Sequence, residues 1–225
     1  MAAITFDHLG TPEQMAALLA TVERHGAPAT FFVTGERAAA DPDGVKSLLD
    51  AGYEVGMHGW AHEMWCDLDP GTERALATRA TNAITEATGE RPRGFRAPGG
   101  SRSAATVEIL SDLGYDYDAS LGDGMRRARL SRSIAQVPFV WGGVDGAFYL
   151  EDPPAAPAAV LEAWSAALAR TAPKPDGLFV TICHPEITGI DDGRLAVLDE
   201  IVARAVAEPN VELCTVAAIA ARIPA

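Results

Sequence analysis

The run GMHGWAHE at 56–63 sets His58 and His62 four residues apart, directly after an apolar stretch, in a chain with 5 histidines in all. Residues four apart share one face of a helical turn, so the spacing lets two imidazoles approach a single metal ion. Two ligands hold an ion weakly; a third is needed, and a catalytic site leaves one position open for water or substrate. Two partly buried histidines hydrogen-bonded to backbone would show the same spacing, and on spacing alone both readings stand. Other ionisable residues also close apolar runs: Asp7 and His8 after 2–6, Arg96 after 94–95, and His184 after 177–183. His25 lies before Gly26 at a helix end, where it suits the helix dipole and calls for no chemistry.

The elements that must position these groups are legible from pattern. Thr11-Pro12-Glu13-Gln14 joins an N-cap, a proline at N1 and a glutamine at N3, which predicts a helix over 12–25 stopped by Gly26. The β-branched and aromatic run ATFFV predicts a buried strand at 29–33. A helix at 45–51 closed by Gly52 follows, then a strand at 53–57, a helix at 70–88, a strand at 94–97, a helix at 103–113 and a strand at 115–118. A loop rich in Gly and Arg at 122–132 leads to a strand at 136–141. A helix to about 170 opens at Pro157, and a strand at 177–183, a helix at 195–207, a strand at 211–216 and a short helix end the chain. Strand and helix alternating at this spacing imply right-handed crossovers and a parallel sheet. Seven or eight such units imply closure as a barrel, in a single domain over 1–225. In such a barrel chemistry sits at the C-terminal strand ends, and four separate strands here deliver ionisable groups to that rim.

Composition narrows the partners. A formal net charge of -13 repels phosphate backbones and anionic lipid, so neither nucleic acid nor a membrane surface is expected. Cys66, Cys183 and Cys214 form neither a disulfide framework nor a cysteine metal knuckle, and no apolar run of 18 residues or secretory leader is evident, so a cytoplasmic location is expected.

Five stretches in order resemble the polysaccharide deacetylase family, carbohydrate esterase family 4. Thr5-Phe6-Asp7-His8 resembles its Thr-Phe-Asp-Asp motif, His58-Gly59-Trp60-Ala61-His62 its His-x-x-x-His, and Arg96-Ala97-Pro98-Gly99-Gly100 its Arg-x-Pro-x-Gly. Tyr117-Asp118-Ala119-Ser120-Leu121 resembles the fourth region and Ile182-Cys183-His184 the fifth. The words HGWAHE and HPEITG resemble most the branch holding peptidoglycan-deacetylase-like proteins, cyclic imide hydrolases and allantoinase-like proteins. The resemblance implies a distorted (β/α)7-8 barrel, one divalent metal ion, zinc in the first instance, hydrolysis of an N-acyl group, and assembly as homo-oligomers. It implies Asp7 as general base, Arg96 as its orienting partner, His184 as a general acid of near-neutral pKa, and His58 and His62 as metal ligands.

The chain departs from the family at His8, which stands where the motif has a metal-ligating Asp. If His8 ligates, three neutral imidazoles hold the ion and leave its charge uncompensated; if it points elsewhere, a two-histidine site remains. Arg126, Arg127 and Arg129 form a basic patch that would suit an anionic substrate group or simply a solvated loop. Trp60, Trp65, Pro98 and Trp141 are candidates for the pocket lining, and Glu63 for a hydrogen bond to a ligating histidine. The function expected is N-deacetylation of an amino sugar or a small acetamide. Hydrolysis of a cyclic imide or ureide, or a repurposed ligand-binding barrel, are the alternatives.

Overall fold

The computed structural model describes residues 1–224. Its strands are β1 (Ala2–Asp7), β2 (Ala29–Val33), β3 (Glu54–Met57), β4 (Gly94–Phe95), β5 (Tyr117–Asp118), β6 (Ala128–Arg129), β7 (Ala135–Gln136) and β8 (Phe179–Cys183). The helices are α1 (Pro12–Arg24), α2 (Gly35–Ala40), α3 (Pro42–Asp50), α4 (Pro70–Thr88), α5 (Thr106–Asp112), α6 (Gly146–Tyr149), α7 (Pro157–Thr171), α8 (Pro185–Thr188), α9 (Asp192–Ala207) and α10 (Val216–Ala220). One curled sheet runs β6-β7-β5-β4-β3-β2-β1-β8, parallel except for the β6–β7 pair. The segment that follows β7 meets the β8 edge through one parallel bridge, Val144 to Ile182, which closes the distorted (β/α)7-8 barrel.

Side chains alternate along each strand, which splits the core in two. Ile4, Phe6, Phe31 and Val33 pack outward against the helices with Leu18, Val22 and Val197, while Ala3, Phe32, Val180 and Ile182 pack inside the barrel. Thr5 and Asp7 share the parity of Ala3 and so face inward. The barrel floor is closed by Val216 and Ile219 of α10, tied down where the Val216 N–H meets Thr30 Oγ1 and the Ala217 N–H meets Glu54 Oε2.

Helix α1 starts at Thr11 with the expected capping box, and β2 and α4 occupy the expected residues. Three differences have physical causes. Thr34 caps an additional helix, α2, by accepting from the Arg37 N–H, and this splits the connection to β3. The strand expected at 136–141 is paired only at its start and again at Phe139, because the chain turns over at Trp141–Gly143. The strand expected at 211–216 reduces to one bridge, Leu213 to Ala2, since β2 and β8 already flank β1 along the rest of its length. Among the described residues no helix is long and apolar enough to cross a membrane.

Glu73 on α4 is fully buried and accepts hydrogen bonds from Trp65 Nε1 at 2.8 Å, Thr106 Oγ1 at 2.6 Å and Ser103 Oγ. It thereby ties α4 to the segments that follow the rim histidines and Arg96. Glu73→Ala strands two buried donors and one half-buried one, and we expect a loss of about 3 kcal/mol, read as a lower denaturant midpoint at unchanged slope.

Candidate active site

Sheet register delivers the rim residues. The His8 N–H bonds to Phe32 O, the His58 N–H to Val33 O and the Arg96 N–H to Met57 O, so each side chain leaves the barrel at a fixed height. His8 and His62 both adopt positive φ, 68° and 62°. Side chains with a Cβ rarely occupy that region, and such residues mark sites the surrounding structure holds in place.

The H-x-x-x-H segment is therefore a tight turn and not the helical turn expected. Gly59 has φ 70°, and the Glu63 carboxylate accepts from the N–H groups of Trp60 and Ala61, at 3.1 and 2.9 Å. The turn nevertheless brings both imidazoles to one point. His8 joins them: the nitrogens of His8, His58 and His62 that can act as ligands lie within 4.8 Å of one another. His58 Nδ1 lies 2.9 Å from the Arg96 carbonyl, which fixes the N–H there and leaves the Nε2 lone pair free. Burial pushes His58 down to about 3 and also lowers His8, so both stay neutral, as a metal ligand must be. Donor type, approach and protonation state thus fit one divalent ion.

Arg96 is buried and donates from Nη1 to Asp7 Oδ1 at 2.7 Å and to Thr5 Oγ1 at 2.9 Å, and from Nε to the Ala119 carbonyl at 3.1 Å. The other Asp7 oxygen, Oδ2, faces His58 Nε2 at 3.8 Å. Burial disfavours the Asp7 charge, but the Arg96 guanidinium, helped by His58 and His184, outweighs it and holds the carboxyl at about 2. Opposite, His184 Nδ1 meets Asp145 Oδ1 at 2.6 Å, and Asp145 Oδ2 accepts from the His184 N–H and Thr188 Oγ1, each at 2.7 Å. Burial opposes the His184 charge, but the hydrogen bond and charge of Asp145, then Asp7 and Glu186, raise it to about 9. His184 is thus held protonated at neutral pH, not poised near neutrality as the family resemblance implies.

Asp145 carries no assignment from sequence reasoning. Its only signal is an acid placed a few residues beyond an apolar run that ends at the rim, VPFVWGGVD. The fourth region acts as scaffold: Ser120 Oγ donates to Asp118 and accepts from the Ala97 N–H, while Arg102 pairs with Asp118.

A cavity of about 410 Å³ opens over Asp7, the three histidines, Arg96 and His184. Trp141 lines it; Trp60, Trp65, Pro98 and Glu63 do not. Trp65 is fully buried with its indole N–H on Glu73, and Trp60 packs under the Arg79 guanidinium, 3.6 Å from its ring centroid. Pro98 is buried under the histidine turn, where its Cγ would lie 2.7 Å from a Cβ on Gly59. Glu63 caps that turn instead of touching an imidazole. The basic patch also lies elsewhere, with Arg127 on Asp176, Arg129 on the carbonyls of Ile223 and Pro224, and Arg126 on a separate cavity beside α7.

Residues 1–117 match the polysaccharide deacetylase family. The peptidoglycan deacetylase of Helicobacter pylori is 34% identical over 104 residues, 46% of this chain and 36% of that one. The chain spans 27% to 36% of the length of the first three curated relatives it matches. A Mycobacterium smegmatis structure assigned to the polysaccharide deacetylases superposes with a TM-score of 0.88 at 29% identity, covering 99% of this chain and 89% of that one. The PuuE allantoinase structure, at 17% identity, shares the fold, with a TM-score of 0.86 and coverage of 98% and 88%.

Because its folded pKa is raised, His184 adds stability that is complete below its ordinary value of 6.5 and is lost as pH rises through about 9. We expect Asp145→Asn to move the His184 titration, followed by imidazole NMR shifts in the metal-free protein, from about 9 back toward 6.5. An unmoved titration would remove Asp145 from this role.

Proposed function

Because this chain belongs to the polysaccharide deacetylase family, we propose that it is a metal-assisted N-deacetylase that hydrolyses the amide of a small N-acetylated amine, with the whole chain 1–225 as one catalytic unit. One observation carries the reading: Asp7 and His184 flank a three-histidine cluster and are driven to opposite protonation states. Groups whose environments push their pKa values apart divide the labour of acid and base.

His8, His58 and His62 would hold the ion, and a set of three imidazoles suits zinc. When bound, the ion supplies positive charge that polarises the acyl carbonyl and eases deprotonation of water. Asp7 keeps one oxygen on Arg96 and offers Oδ2 to take the proton of the attacking water. His184, oriented through Nδ1 by Asp145, gives the proton on its other nitrogen to the leaving nitrogen as the C–N bond breaks. Acetate and a free amine result. Asp145 belongs to this machinery as a positioning residue, since it sets the ring orientation and the charge of His184.

Protein purified without added metal or chelator should carry about one equivalent of a divalent ion, lost in His8→Ala and in His58→Ala. Asp7→Asn should keep that ion and lower acetate release from N-acetylated amines by about 100-fold or more. An absence of metal even after zinc is offered would overturn the reading, as would ring opening of a cyclic imide or ureide in place of acetate release.

A further inference from the structure

All but one of the ionisable side chains on the catalytic cavity are engaged at the reacting centre. Asp7, Arg96 and His184 handle protons or orient the group that does, and His8, His58 and His62 form the cluster. The exception is Glu186, the second residue of α8. It lines the cavity, is exposed, and has no hydrogen bond or ion pair among the described residues, while its charge acts on both His8 and His184. The rest of the wall is apolar: Phe139, Trp141, Val144, Leu150, Ile182 and Ile187. Trp141 and Leu150 stand 49% and 74% exposed, so the apolar character continues to the mouth. The backbone adds little. The Gly100 N–H is held by Ala97 O and its carbonyl by the Leu121 N–H; the Gly146 N–H is held by Asp145 and its carbonyl by the Leu150 N–H.

A sugar ring carries hydroxyls around its edge, and each gives up water on entering a cavity and needs a partner there. Outside the reacting centre this wall offers little: Glu186, the Trp141 indole N–H and the Gly99 backbone, none of them hydrogen-bonded among the described residues. An aliphatic or aryl body loses nothing by contact with the same surface and gains from the area buried. Charge points the same way: the chain carries a net charge of -13, which draws cations in and keeps anions out, and a free carboxylate stands at the cavity with no partner.

We propose that the substrate is a small N-acetylated amine with an aliphatic or aryl body and a second, protonated amine that pairs with Glu186, and that it is not an amino sugar. The proposal rests on the deacetylase reading above. Water adds to the acyl carbon, the C–N bond breaks, the leaving nitrogen takes a proton, and acetate and a diamine are released. The body lies between Trp141 and Ile187 while the amide faces the histidines.

The test compares three probes on the metal-loaded enzyme: N-acetyl-1,4-diaminobutane, the uncharged N-butylacetamide, and N-acetylglucosamine. We expect kcat/KM for the cationic probe to exceed that for N-butylacetamide by about tenfold, as befits one charge-assisted hydrogen bond, with N-acetylglucosamine below both. Glu186→Gln should bring the ratio of the first two near unity, and a ratio is immune to general loss of activity. Calorimetric titration of Asp7→Asn, which should leave the probes uncleaved, should give the same rank in Kd. Preference for N-acetylglucosamine, or a ratio unchanged in Glu186→Gln, would overturn the proposal and leave the deacetylase reading intact. Acetate from none of the three would overturn both.

Discussion

The buried pair of Asp7 and Arg96 is the contact from which the rest of the site takes its geometry. Arg96 reaches across the barrel from the end of β4 to Asp7 and Thr5 on β1, donates to the Ala119 carbonyl beyond β5, and through its own carbonyl fixes the ring of His58 beyond β3. Four strands are thereby registered on one residue. Removing two charges from water is costly, and an apolar pair of equal volume would often be as stable, so the pair counts for specificity more than for stability. Its remaining nitrogen, Nη2, is buried without a hydrogen-bond partner among the described residues, in a guanidinium centred 4.2 Å from the Phe32 ring centroid. The aromatic face offers partial compensation for the missing partner.

A second dyad answers the first across the histidine cluster. Arg96 keeps a carboxylate anionic and Asp145 keeps an imidazole cationic, each against the penalty of burial. Between them His58 and His8 are held neutral by the same burial. One low-dielectric chamber thus maintains three different protonation states: a charged partner overcomes burial at Asp7 and His184, and burial prevails at His58 and His8.

The sequence made the frame readable wherever a local signal sufficed. The Thr11 capping box, the ATFFV strand and helix α4 need no distant partner to be recognised. Asp7, His8, His58, Arg96 and His184 were legible as a set because each ends an apolar run and a parallel barrel gathers strand ends at one rim. Asp145 was not, since it reaches the rim only through the bridge of Val144 to Ile182, a contact between segments 38 residues apart. Trp65, Pro98 and Glu63 were misplaced for a related reason. Residue type shows that an indole or a carboxylate suits a pocket, but only packing shows that this indole serves Glu73 and that this carboxylate caps a turn.

The barrel does not close evenly. The pairs β1–β2, β1–β8 and β2–β3 are ladders of four or five matched residues, whereas the last gap is spanned by Val144 and Ile182 alone, with the Asp145 N–H on Ile182 O. Regions held by few contacts open at lower free energy than the body of a domain. This one-pair seam, as narrow as that between β3 and β4, is also the place where Asp145 crosses to hold His184. Warming that parts the seam would separate His184 from its carboxylate while the longer β1–β2, β1–β8 and β2–β3 ladders stay paired. Loss of the His184–Asp145 contact and melting then become two events at two temperatures, and a protein that still looks native by its helix content would already have lost the partner that orients that imidazole.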